Sequence, residues 1–214
     1  MEQLMALFPL GTVLFPGVTL PLHIFEPRYK QMITRCLHLK QPFGVVLIKE
    51  GVEVGGRAEP YQIGTVAAIQ HALRFEDGRM LLTTEGQQRF RISHIVQHEP
   101  YMVAQVELLD EQSTPESLAL AARIRELYGK HGDALAYATG SMPQLDELPD
   151  DPVALGYQLA EQFHIVYESK QQLLEADLDD RLEAIADALE RELRFLPQPP
   201  TTPPTSNEPP WLLN

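Results

Sequence analysis

The chain has 214 residues, 44% of them hydrophobic, and a formal net charge of −13. That length holds one large domain, or one domain with a helical companion, and no run approaches the roughly 20 apolar residues of a membrane span. The single cysteine, Cys36, excludes an internal disulfide and fits a reducing, cytoplasmic setting, and the N-terminus shows no secretory pattern.

Residues 8–32, FPLGTVLFPGVTLPLHIFEPRYKQM, are the most distinctive stretch. Pro9, Pro16 and Pro21 fix φ and remove ladder donors, which predicts short extended pieces closed by turns rather than a long central strand. Pro27 suits the first turn of a helix that opens at Glu26 and carries Cys36 on its buried side. Residues 43–48 read as a buried strand, and Gly51, Gly55 and Gly56 predict a mobile loop after it. A second apolar run covers residues 63–69. Glu76-Asp77-Gly78 predicts a hairpin turn between residues 73–75 and 80–82, and Gly86 is expected to mark the next turn. Phe90, Ile92 and Val96 alternate with Arg89, Arg91 and Ser93. Met102, Ala104, Val106 and Leu108 alternate with Val103, Gln105 and Glu107. Both patterns predict strands with one buried face. Six or so short strands with tight turns point to a barrel-like sheet, because closure removes exposed edges.

The period changes near residue 113. Ser113-Thr114-Pro115-Glu116 is a helix start, and Leu118, Ala122, Ile124 and Leu127 are expected in its core. Asp150-Asp151-Pro152 starts a second helix, with Leu155, Leu159 and Phe163 four apart. A short helix is expected over residues 168–175. The last helix, capped by Asp177 or Asp179, places Leu178, Leu182, Ile185, Leu189, Leu193 and Leu196 on one stripe. The fold class is therefore α+β: a β-rich subdomain over residues 1–112, a helical bundle over 113–196, and an extended tail over 197–214. Seven of the tail's eighteen residues are proline. It carries the only tryptophan, and Trp211 with Leu213 is expected to anchor in an apolar groove.

Residues 1–109 hold ten Lys/Arg against ten Asp/Glu, whereas residues 110–195 hold seven against nineteen. Such an acidic back half repels phosphate backbones and anionic membranes, so neither is an expected partner. Arg74, Arg79, Arg89 and Arg91 form a basic strip, but Glu76, Asp77 and Glu85 nearly cancel it. GxxxxGK[ST], GxSxG, HExxH and CxxC are all missing. His94 and His98 would share a helix face, but they sit in a strand pattern that Pro100 ends, so no metal or cofactor site is expected. The paired acids Asp146/Glu147, Asp150/Asp151 and Asp179/Asp180 fall at helix starts, where capping accounts for them.

With those residues in view, the chain resembles the Lon N-terminal domain family, in its stand-alone bacterial form. The resemblance rests on Phe8-Pro9-Leu10, on residues 13–17 (VLFPG) and 20–29 (LPLHIFEPRY), and on residues 43–47, 64–66, Gly86 and 89–92. It implies a folded β-barrel of the PUA-like type followed by helices, and a protein-binding module with no ATPase or protease domain and no catalytic residues to transfer. Unfolded or exposed polypeptide segments are the implied partners. The expected site is the cleft between barrel and helices, with Phe15, Pro16, Phe25, Arg28, Tyr29, Arg89 and Tyr101 as candidate lining groups. They combine apolar surface with arginines suited to carboxylates or carbonyls. A purely structural pairing of Arg28 with Glu26 or Glu85 is the alternative for that residue. RNA binding, known for PUA-like barrels, is the second reading, and the net charge opposes it.

Overall fold

The computed structural model describes residues 2–52, 58–141, 143 and 145–197. Gly55, Gly56, Trp211 and Leu213 lie outside the described residues. The first half comprises β1 (Glu2–Leu10), β2 (Thr19–Ile24), α1 (Pro27–Leu39), β3 (Phe43–Gly51), β4 (Ala58–Pro60), β5 (Ile63–Arg74), β6 (Met80–Gln97) and β7 (Met102–Leu108). The strand order is β1-β7-β6-β5-β3-β4, and β1 also pairs in parallel with β3. Five strands thus close a ring. β2 stands off it, paired antiparallel with the first part of β6.

Two readings of the first half need correction. The prolines do not confine their runs to short pieces: β1 extends nine residues through Pro9. Residues 2–7 pair with β7 and residues 7–10 with β3, so Pro9 lies on a stretch bonded on one side only, where a missing donor is tolerated. Gly86 is not at a turn, because β6 runs 18 residues straight through it. The segment between β1 and β2 crosses β6 there: Gly17 N–H donates to the Gly86 carbonyl at 2.8 Å, and Gly86 N–H donates to the Val18 carbonyl at 2.9 Å. A side chain at 86 would drive into the carbonyl oxygen of Phe15. The glycine serves close backbone approach rather than a bend. The hairpin turn lies where expected, with Gly78 at φ 78°.

α1 begins with proline in its first turn and lays Tyr29, Met32, Ile33 and Cys36 on a core with Phe8, Phe43 and Val45. Inside the ring, Leu7, Val46, Val66, Phe90, Ala104 and Val106 form a second core. Val96 departs from the expected alternation and is 54% exposed. The register shift between Ile92 and His94 exchanges the two faces of β6 before it is reached.

The second half comprises α2 (Pro115–Thr139), α3 (Pro152–Gln162), α4 (Tyr167–Glu175) and α5 (Leu178–Leu193). Thr114 and Ser117 form a reciprocal capping box at the start of α2, and Asp151 caps α3 through Ala154 N–H at 3.0 Å. Asp177 precedes α5 without a side-chain cap. Ile124, Leu127, Leu155, Leu159, Leu182, Ile185 and Leu189 share the helical core. Leu118 and Ala122, expected there, are exposed. The buried stripe of α2 is Ser117, Ala121, Ile124 and Leu127, one residue and hence about 100° around from them. The starts of α2, α3 and α5 meet at the sheet: Ser113 Oγ donates to Asp151 Oδ1 at 3.3 Å, and Thr114 Oγ1 to Asp179 Oδ1 at 3.2 Å.

Candidate functional site

The seam between the ring and the helices is closed by a small core and a buried ionic cluster. Val13, Phe15, Leu47 and Ile63 pack against Tyr157, Ala160 and Leu174. Beside them, Arg89 Nη1 donates to the carbonyls of Leu174 at 2.6 Å and Ala176 at 2.8 Å. Arg181 donates Nε to the Leu173 carbonyl at 3.0 Å and Nη2 to that of Ala176 at 3.0 Å. These carbonyls end α4, where they lack partners within the helix and attract cations. Glu111, in the link from β7 to α2, pairs with Arg89 Nη2 at 3.0 Å and Arg181 Nη2 at 2.6 Å, and the Tyr157 hydroxyl donates to its other oxygen. The Arg181 guanidinium lies 4.0 Å from the centre of the Tyr157 ring. Burial holds the Tyr157 hydroxyl well above the usual phenol range and lowers the Arg181 guanidinium. Two cations face one carboxylate, and the helix-end carbonyls take up the surplus positive charge. A cavity of about 560 Å³ opens next to this cluster, bounded by Pro16, Gln88, Leu109, Asp110, Val153 and Ala154 among others.

A different surface lies around β2. The register sets His23, Leu81 and Leu73 abreast, and Pro21, Thr83 and His71 abreast, on the outer face of β2, β6 and β5. Leu73 is 58%, Phe25 46%, Leu81 45% and Phe75 39% exposed. Leu73 and Leu81, with His23 and His71, border a groove of about 530 Å³ with no carboxylate in its lining, and a second groove of about 380 Å³, lined in part by Phe25, runs between β2 and the start of α1. Among the described residues β2 pairs with β6 alone, so its second edge is open.

The seven residues singled out from the sequence fall in three places and do not form one surface. Phe15 is 0% exposed, its ring 6.0 Å from that of Tyr157, and so has no face to offer a ligand. Arg89, 5% exposed, is committed to the seam. Tyr29 and Tyr101 are buried in the core beneath α1. Arg28 is half-buried; its Nε donates to Glu26 at 3.1 Å, and its guanidinium lies 4.6 Å from the Tyr29 ring centre. Pro16 sits half-buried at the seam cavity, and Phe25 is open to solvent at the groove between β2 and α1. Sequence reasoning did not single out Leu73, Leu81, His23, Glu111 or Arg181 as site residues, and His71 was weighed only beside His94 and His98 as a possible metal ligand. One signal was available for the first two: apolar residues on both faces of a hairpin whose turn is wholly polar.

Among the described residues, no group of three or more His, Cys, Asp or Glu side chains is placed to hold a metal ion. No described helix is long and apolar enough to cross a membrane.

Comparison with known proteins places this architecture. Residues 5–191 match the family model of the ATP-dependent protease La (LON) substrate-binding domain. The Lon protease of Anaeromyxobacter dehalogenans is 27% identical over 204 residues, covering 91% of this chain and 24% of that protein. Lon protease 2 of Myxococcus xanthus is 28% identical over 200 residues, with the same coverages. The chain thus spans about a quarter of the length of these relatives. The crystal structure of a Lon N-terminal domain protein from Xanthomonas campestris superposes with a TM-score of 0.61 at 27% identity, over 91% of this chain and 99% of that one. The N-terminal domain of the Mycobacterium avium complex Lon protease shares the fold with a TM-score of 0.63 at 19% identity, over 88% and 98%. With 187 of 214 residues matched to one domain model, the chain belongs to the Lon substrate-binding domain family.

Proposed function

We propose that this chain is a non-catalytic polypeptide-binding module that captures exposed, extended protein segments on the outer face of β2, β5 and β6. The observation that carries this reading is the exposed pair Leu81 of β6 and Leu73 of β5, abreast on adjoining strands, with Phe25 and Phe75 exposed just past the ends of β2 and β5, on a sheet whose outer strand β2 has an edge that no described strand pairs. An extended segment laid along such an edge gains main-chain hydrogen bonds, while alternate side chains enter flanking grooves. Pro21 withholds one donor, so pairing runs over the residues on either side of it. The family name and the Lon proteases among the relatives support a protein partner. The closed path of five strands supports reading residues 1–112 as a PUA-like barrel, with residues 113–196 as its helical companion. A cytoplasmic location fits the lone buried thiol. RNA binding gains nothing from the charge: the acidic half repels phosphate.

The test is binding of an array of unfolded-protein peptides to the intact chain and to Leu81→Asp and Leu73→Asp. Binding at least tenfold weaker in both, with unchanged circular dichroism, is the expected result. Equal binding by the variants would remove the assignment of this face.

A further inference from the structure

We propose that the proline-rich tail folds back along the helical half and seats Trp211, with Leu213 beside it, in the seam cavity. This surface is separate from the β2 face, and the two readings stand or fall independently.

The argument begins with reach. α5 starts at the seam, where Arg181 covers Tyr157, and its 16 residues carry the chain about 24 Å away from it. Trp211 lies fourteen residue steps beyond Pro197. As polyproline II chain at about 3.1 Å per residue they span up to about 43 Å, enough to return.

Fit and charge point the same way. The cavity of about 560 Å³ has space for an indole. Pro16, Leu109, Val153 and Ala154 supply apolar wall, and the carboxylates of Asp110 and Glu111 supply acceptors for the indole N–H, which a buried tryptophan requires. Glu208 is the tail's only formally charged side chain, so the acidic helices oppose its approach little. A proline-rich segment also loses little conformational freedom on docking.

Trp211 is the only tryptophan, so its emission reports this contact without labelling. In the full chain, acrylamide quenching is expected to be at least threefold weaker than for a synthetic peptide of residues 205–214, with emission shifted to the blue. Ala154→Glu, an exposed substitution on the cavity wall, should return both readings to the peptide values while leaving circular dichroism and the melting midpoint unchanged. Gln87→Lys, from the facing strand, is the independent block should α3 be disturbed. Peptide-like quenching in the unmodified chain, protection that survives both substitutions, or protection that grows with protein concentration would each overturn the proposal.

Discussion

Arg89 spends both terminal nitrogens on groups inside the protein, and Arg181 does much the same from the other side of the seam. Arg89→Ala should cost about 3–5 kcal/mol, the range for breaking a buried pair, because it leaves the Leu174 carbonyl without its arginine donor and takes one of three partners from Glu111. Urea unfolding checks this; Arg79→Ala, which removes an exposed pair with Asp77, should barely move the midpoint. Gly86→Ala should cost about 3 kcal/mol or more, since the obstruction is the Phe15 backbone and cannot rotate aside. Cys36 gives a pH signature. Burial pushes its thiol from 9.0 up to about 11, so the folded state favours the neutral form. The resulting stability is whole below pH 9, where the unfolded thiol is also protonated, and is lost as pH rises toward 11. Cys36→Ala should therefore flatten the fall in melting midpoint over that interval, whatever it costs in packing. A thiol reagent should label the native protein at neutral pH far more slowly than the unfolded chain.

At the scale of elements, the helices were the most legible part of the sequence because their signals are local. Thr114, Asp151 and the leucine stripe of α5 declare themselves within a few residues, and each lies where its spacing puts it except Leu196, which falls beyond the end of α5 at Leu193. Thr114→Ala should remove about 1 kcal/mol by opening the capping box, measurable as a lower melting midpoint with α2 otherwise intact. β6 was legible only in pieces. A glycine in a strand and a glycine in a turn look alike in sequence, and the reason for Gly86 comes from residues 15–18, some seventy positions earlier. The candidate site suffered from the same limit. Phe15 and Arg89 have the chemistry of a binding surface, yet each is covered by helices 85 or more residues away in the chain. The exposed leucines of β5 and β6 have the composition of core, and only the register of three strands shows that they face outward together.

For the whole molecule, the seam makes the sheet and the helices interdependent. Far-ultraviolet circular dichroism and tyrosine absorbance should report one coincident denaturant transition; two resolved transitions would show that the halves are energetically separate. A fragment of residues 1–112 should expose Val13, Phe15, Leu47 and Ile63 together and associate in solution, as read by light scattering. The ring's last strand ends at Leu108, but the partners of Arg89 arrive with Leu174, Ala176 and, through Glu111, Arg181. At about 5–20 residues per second on the ribosome, the interval from Arg89 to Arg181 is roughly 5–20 s. During that time the strands are present in full while the cation at their edge has no helix end to hold it. The last helix therefore sets the moment at which the newborn chain becomes stable, and a pause in translation before residue 181 would lengthen its exposure to degradation.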